Sequence, residues 1–545
     1  MWINKHIFGF YYFLLVAIIS IFLSSSSYSD VCADKIVKLK KPMPYRIVSF
    51  YQGEASKDII KLAAELGFNG CMFQLEGGNV GPLKKFAERD KEEQYIKLCH
   101  SLGMEVTLWV HELSDIPSEN DPNYLGPIRV ENEKLWNHLE ERYEWLFSEL
   151  LPEIDGIVLT VVETQINATD TDVYLKLVDV LYNSCKKHNK KLIVRTFTWH
   201  PDELVAVMDG IKKLPEDVIV MSKCVPQDWQ MRGTHNPALG KVGTRDQLVE
   251  YDIAGEYFLL DSVANAMVDR LKHHFDYSVA VGCDGICVRV DRWDAEIINE
   301  PNEINLWALG MFANAKTDNS DDVWKAYACT KYGNKAAEYV INALKHTQQV
   351  VTECLNIGSF TFGDTRYFPP NAGISWYNAN WQNWRWDKNY LEEYELAKSP
   401  TPEYIAKIEK QKQSAMHLAE ASLIELEIAR IYLSEADYEM LKVKLLSNKL
   451  QLGFRAPMML SVLKFQRMVN SENIREKQIL KQEIKSHILE IESVLNYPLP
   501  DAEIIEYNGK VHQIGLPKRL ELEQIKMWID KMNSYLENPE SAFKK

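Results

Sequence analysis

Three carboxylates, Glu163, Asp228 and Glu256, stand at or just beyond the ends of short apolar runs. Hydrolysis of a glycosidic bond needs two carboxyl groups on opposite sides of that bond. One is protonated and serves the leaving oxygen; the other acts as base or nucleophile. Flat apolar faces for sugar rings recur at similar positions, in Tyr51, Trp109, Trp199, Tyr257 and Trp293. So do cations that could meet an anionic group (Arg195, Lys223, Arg232, Arg292) and polar groups that could bond hydroxyls (Glu76, His111, His200). The densest case is "MSKCVPQDWQMRG", residues 221–233, where an apolar run stops and Lys223, Asp228 and Arg232 follow.

The elements that must position these groups repeat. Apolar runs rich in branched residues occupy 46–51, 70–75, 105–110, 156–162, 191–197, 217–223, 251–259 and 285–290. Between them lie amphipathic stretches such as 56–66, 136–150 and 173–188, with apolar residues at spacings of three and four. Strands alternating with helices in this way predict an α/β fold, a (β/α)8 TIM barrel. A doubly wound open sheet is the alternative, but it would more often carry a Gly-rich phosphate loop after its first strand, and "SFYQGEAS" is not one. In a TIM barrel the active-site groups come from the C-terminal ends of the strands, and that is where the residues above fall. The same ends carry Gln74, Glu112, Arg289 and Asp291. Many rim carboxylates are simply solvated, and an ion pair with one is the alternative use of Arg195 or Lys223.

After Asn305 the texture turns helical, over 305–315, 321–332 and 335–355. An aromatic stretch follows, including "WYNANWQNWRWD" at 376–387, which could roof a sugar site or pack a second domain onto the barrel. Charged helical runs such as 404–433 and 475–495 complete the chain without a sustained heptad. The expected organisation is a leader at 1–30, a lead-in at 31–44, a barrel at 45–357, an aromatic junction at 358–400 and an all-helical C-terminal domain at 401–545.

The 545 residues carry a net charge of −15 and no dense Lys/Arg block, which argues against a nucleic-acid partner. Lys5 and His6, the apolar run 8–23 and the small polar stretch 24–29 follow the order of a secretory signal. The run is slightly short for a membrane span, so a periplasmic or secreted location is expected ahead of an N-terminal anchor. The nine cysteines are odd in number, and Cys71, Cys283 and Cys287 fall in apolar runs where a thiol acts as a small hydrophobe. Their spacing matches no zinc site; one disulfide stays open. Two-carboxylate hydrolysis needs neither metal nor cofactor, and none is expected. The sequon at Asn167 reads as a chance match.

The segment "KCVPQDWQMRGTHNPALGKVGTRDQLVEYDIAGEY" resembles the α-glucuronidases of glycoside hydrolase family 67. That family carries a strand ending in Lys, then Pro-x-Asp-Phe-Gln-x-Arg, a Pro and a Gly, and a strand ending in Gln-Glu-Tyr. The matching residues are Lys223, Pro226, Asp228, Gln230, Arg232, Pro237, Gly240, Glu250, Ile253, Glu256 and Tyr257, with Trp229 in place of the Phe. "GFNGCMFQLEGG", "GMEVTLWVHEL", "LIVRTF" and "NEINLWALGMFANA" are similar to further family segments in the same order, so the likeness spans roughly residues 45 to 335.

The resemblance implies an inverting, exo-acting glycosidase that removes uronic acid from polysaccharide-derived oligosaccharides. Glu163 would be the general acid, and Asp228 and Glu256 would hold and deprotonate a water. Arg195 and Lys223 would hold the uronate carboxylate. Two departures bear on the substrate. The family's fourth strand ends in Lys-Ala-Asp-Ser-Glu, whose Lys also reaches the carboxylate; here the stretch is "LTVVE", with Leu159 at the Lys position. The family's β-rich N-terminal domain is also expected to be missing. The same chemistry on another glycone, and a non-catalytic sugar-binding barrel, are the alternatives. The C-terminal helices could pair as a homodimer.

Overall fold

The computed structural model describes residues 39–50, 57–74, 89–114, 119–161, 164–226, 231–259, 262–292, 295–362, 388–496, 504–507, 510–513 and 519–543. Eight parallel strands close into a barrel in chain order. They are β1 (Tyr45–Phe50), β2 (Gly70–Gln74), β3 (Glu105–His111), β4 (Gly156–Thr160), β5 (Lys191–Arg195), β6 (Ile219–Lys223), β7 (Gln247–Asp252) and β8 (Gly285–Arg289). The helices between them are α1 (Lys57–Leu66), α2 (Arg89–Ser101), α3 (Glu133–Trp145), α4 (Thr171–Lys187), α5 (Pro201–Ile211) and α6 (Val268–Ala280), and α7 (Ile304–Ala313) follows β8. The described part of the β6–β7 connection is turns without a helix. The leader and most of the aromatic junction lie outside the described residues.

Side-chain alternation divides each strand between two cores. One set points inward and fills the barrel: Ile47, Met72, Trp109, Val158, Ile193, Ile219, Met221, Leu248 and Cys287. The other set, including Val48, Val106, Leu159, Val194, Val249 and Ile286, packs outward against the helices. Both sets are apolar because a parallel sheet is covered on both faces. At the lower end half-buried Tyr45 packs against the inner core, and its hydroxyl donates to Asp246 Oδ2 at 2.7 Å. Room for Tyr45 comes from Gly285, where a Cβ would meet Tyr45 Cβ and its carbonyl oxygen at 2.5 Å and Leu248 at 2.8 Å.

Side chains cap the helix starts. Asp170 accepts from Val173 N at the start of α4 at 3.1 Å. At α5 the Glu203 carboxylate accepts from the backbone N–H groups of Trp199 and His200, both at 2.9 Å. That carboxylate satisfies the N-cap amide and the amide before it, and so fixes where the Trp199 backbone stands.

Helices α8 (Ser320–Tyr332), α9 (Asn334–Leu344) and α10 (Thr347–Leu355) come next. The single helix expected over 335–355 is two: the Thr347 hydroxyl donates to Leu344 O and accepts from Ala266 N, tying the break to the β7–α6 loop. Then follow α11 (Lys388–Lys398), α12 (Pro402–Ala429), the long α13 (Glu435–Asn470), α14 (Ile474–Leu495) and α15 (Arg519–Glu537). A two-stranded hairpin, Ile504–Tyr507 with Lys510–Gln513, adds a small β element to this helical region. The outer barrel core runs on into α12 and α13 through Ala415, Ala419, Leu426, Leu441 and Leu452. A second core, around Met458, Phe465, Ile484 and Trp528, lies among the helices. No helix of the described residues is long and apolar enough to cross a membrane.

Gly285→Ala should cost about 1–3 kcal/mol through overpacking against Tyr45, read as a lower urea midpoint. An unchanged midpoint would mean that the barrel floor is looser than this.

Candidate active site

Each inward stripe turns polar at its upper end. Thr160, Arg195, Lys223, Glu250, Asp252 and Arg289 continue the parity of Val158, Ile193, Met221, Leu248 and Cys287. The charged members are almost fully enclosed: Arg195 and Lys223 are 2 % exposed, Arg289 and Asp252 3 %, Glu250 1 % and Glu256 7 %. Burying so many charges is tolerable only if they pair.

Arg195 does so with a planar fork. Its Nε donates to Glu250 Oε2 at 3.1 Å, and Nη2 lies 2.9 and 2.6 Å from the two carboxylate oxygens. Nη1 donates to Thr160 Oγ1 at 2.9 Å, and the same hydroxyl accepts from Trp109 Nε1 at 2.7 Å. The Trp109 ring therefore lies as a floor under the cations, 4.5 Å from the Arg195 guanidinium carbon and 5.9 Å from that of Arg289. Lys223 places its ammonium 3.3 Å from the centre of the Phe197 ring, a cation–π contact. Phe197 in turn meets Trp199 edge-on at 5.1 Å.

Glu256 is presented differently from the strand end expected over 251–259. β7 stops at Asp252, because the Asp252 carboxylate captures the next amides. Oδ1 accepts from Ala254 N at 3.0 Å and Gly255 N at 3.2 Å, and Oδ2 accepts from Glu256 N at 3.0 Å. Gly255 takes φ +81°, a region cheap only for glycine. Glu256 thus sits on a tight turn above the strand, and Arg289 Nη1 donates to its Oε2 at 2.6 Å.

Electrostatics follow from this packing. Burial, then the neighbouring Arg195 and Arg289, push the His111 imidazole down to about 3, so it is neutral at physiological pH. Burial pushes Asp252 up to about 6, with the Glu256 charge adding to the rise and Arg289 and the turn amides opposing it.

The structure thus brings together Trp109, His111, Arg195, Lys223 and Glu256, with Trp199 beside them through Phe197. Tyr51, Glu76, Glu163, Asp228 and Trp293, and the side chain of Arg292, lie outside the described residues. Three of the strand-end residues make contacts away from this group. Arg232 turns to the helical region: its Nη2 donates to Glu353 Oε1 at 2.6 Å, while Lys412 Nζ, 2 % exposed, donates to Glu353 Oε2 at 2.8 Å. A carboxylate buried between two cations holds Arg232 more firmly than an open rim would. Tyr257 packs against the core between barrel and helices. Glu112 also points outward, to Arg142 at 2.9 Å and to the Tyr143 hydroxyl.

Leu159 belongs to the outer core. It is not a gap in the mouth, because β4 delivers Thr160 there. Thr160, Glu250 and Asp252 are the mouth residues that sequence reasoning did not single out as site residues; their shared parity with Val158 and Leu248 was the available signal. Among the described residues no set of three His, Cys, Asp or Glu side chains is placed to hold a metal. The eight described cysteines are free thiols.

No protein-family model matches the chain, and no curated protein does. Solved structures do. A GH138 enzyme targeting pectin rhamnogalacturonan II superposes with TM-score 0.63 at 12 % identity, covering 92 % of this chain and 85 % of that one. The Thermobaculum terrenum O-GlcNAc hydrolase gives TM-score 0.46 at 11 % identity, over 92 % and 97 % of the two chains. A GH115 4-O-methyl-alpha-glucuronidase with specificity for decorated arabinogalactans gives 0.48 at 12 % identity, over 84 % and 59 %. These structural neighbours are glycoside hydrolases, and at such identities the first establishes a shared fold.

Two outcomes are expected. Glu250→Ala leaves the Arg195 charge buried without its partner and should cost about 3–5 kcal/mol, measured by denaturant unfolding; a loss below about 1 kcal/mol would contradict the enclosed pair. His111 should show no imidazole titration by NMR between about pH 5 and 8. The unfolded chain accepts a proton near 6.5 that the folded one refuses, so His111 lowers stability as pH falls from about 6.5 toward 3. A midpoint near its ordinary value would refute the packing around Trp109.

Proposed function

We propose that the protein is a glycoside hydrolase of the α-glucuronidase type, acting with inversion at the barrel mouth on uronic-acid-bearing oligosaccharides. The observation that carries this reading is the gathering of Lys223, Arg195 and Arg289 over an aromatic floor beside the carboxylate of Glu256. Aromatic faces suit the apolar faces of a sugar ring, and buried cations suit an anionic substituent. Most donors of the Arg195 fork are taken by Glu250 and Thr160. Lys223, whose ammonium lies on the Phe197 face, is assigned the direct contact with the sugar carboxylate, as the family resemblance implies, and Arg195 and Arg289 contribute charge at longer range.

In this reading Glu163 protonates the leaving oxygen, and Asp228 with Glu256 holds and deprotonates a water on the opposite face. Inversion requires the acid and the base about 6.5–9.5 Å apart to admit that water. The roles of Glu163 and Asp228 rest on their motifs. The engagement of Arg195 by Glu250 favours one alternative, the same chemistry on a neutral glycone. The N-terminal charged, apolar and small-residue order supports a periplasmic or secreted location.

A panel of aryl and oligosaccharide α-glycosides, uronides beside neutral sugars, tests the reading. Turnover should favour uronides, and Glu163→Gln should lower kcat by roughly 100-fold or more while the fold is retained. Sugar binding without hydrolysis of any glycoside would overturn the enzyme reading. Equal turnover of neutral glycosides would overturn the uronide assignment.

A further inference from the structure

We infer that Asp252 is a positioning residue for the proposed base Glu256: its carboxylate builds the turn that aims Glu256 into the barrel mouth. The inference rests on the assignment of Glu256 above and deepens it. Two neighbouring strands hold Glu256 from two directions. Asp252, the last residue of β7, fixes its backbone through the Glu256 N–H and the two amides before it. Arg289, which pairs in register with Asp252 from β8, fixes its carboxylate. Take away the Asp252 acceptor and the Glu256 amide, on a chain only four residues past the strand, has lost its side-chain anchor.

The two oxygens of Asp252 are not equivalent. Oδ1 serves two amides and Oδ2 one, the amide of Glu256. A proton on Asp252 therefore falls most cheaply on Oδ2, and the hydroxyl so formed is a weaker acceptor for the Glu256 N–H than the carboxylate oxygen it replaces. The charged and titratable groups around Asp252 are Arg289 on β8, Glu256 on the turn, Glu250 two residues earlier on β7, and Lys223 with the Cys224 thiol at the end of β6. Burial raises the Asp252 carboxyl to about 6 and pushes the Cys224 thiol up to about 12, so of these two only Asp252 changes charge in mildly acidic solution. The turn is thus held above about pH 6 and loosened at its Glu256 bond below it.

Asp252→Asn carries the loosening further at every pH, since the amide keeps one oxygen for Ala254 and Gly255 and turns NH2, which cannot accept, toward Glu256. With the best substrate of the wild type, the variant should lose up to roughly 100-fold in kcat with KM nearly unchanged. The acid limb centred near pH 6 in the wild-type kcat profile should flatten. Hydrogen exchange at the Glu256 amide, corrected for its intrinsic rate, reads the turn without any substrate. The wild type should protect this amide above pH 6 and lose much of that protection below it, and the variant should leave it unprotected at both, while the Ala254 and Gly255 amides stay protected. Failure of the wild type to turn over any glycoside would count against the proposed function and leave the exchange result to decide the role of Asp252. Protection that is independent of pH in the wild type would overturn the inference even if the variant does not fold. A folded variant with wild-type kcat, or with its acid limb intact, would overturn it as well.

Discussion

The buried pair between Arg195 and Glu250 is the constraint around which the barrel mouth is organised. Beneath it the interior is an apolar plug; at its level the plug gives way to charge. Isolated, either group would carry a large desolvation cost. Paired through a bidentate fork, they become a rigid charged layer at the top of the core. The remaining donor of that layer reaches Thr160, Thr160 orients Trp109, and the Trp109 ring lies beneath both guanidiniums. His111 is kept neutral by the same two cations and by burial. A carbohydrate ligand entering from above would meet aromatic surface and oriented charge already in place, the preorganisation on which electrostatic catalysis depends.

The helical region takes part in this arrangement through buried polar contacts as well as apolar ones. Lys444 on α13 pairs with Glu300 in the loop after β8 at 3.0 Å, and the Asn448 side chain bonds both the N–H and the carbonyl of Ala264 in the loop after β7. Arg232, from the loop after β6, is drawn to Glu353 and Lys412. Three successive loops at the C-terminal end of the barrel are thus gripped by helices that follow it in the chain. Loops at that end carry the working groups of TIM barrels, and here they are tied down by partners that would be costly to break.

The barrel was legible in the sequence because its strands are covered on both faces and read as apolar runs between amphipathic helices. Strand seven was the exception. From Gln247 to Leu259 the apolar pattern shows no breaker until Gly255, so the run could be placed anywhere within it. What stops the strand is the Asp252 side chain reaching forward to three amides, an interaction composition does not announce. The fate of the cations was hidden for a related reason. Arg195, Lys223 and Arg232 all follow apolar runs, yet one is locked to Glu250, one lies on Phe197 and one leaves for the helical region. Sequence position brought each to the rim; the partner that takes it up, a carboxylate for the two arginines and a ring for Lys223, comes from another part of the chain. Leu159 shows how register decides meaning: the neighbouring Thr160 is the inward residue of β4, so a basic residue at 159 would have pointed toward the helices.

The central question is whether this mouth receives a sugar carboxylate. A crystal structure with D-glucuronic acid bound tests that most directly. The carboxylate should lie about 2.7–2.9 Å from Lys223 Nζ, with the ring over the aromatic floor and the Arg195–Glu250 pair intact. A sugar bound at the mouth with its carboxylate turned to solvent, or one that displaces Glu250 to take the Arg195 fork, would contradict it.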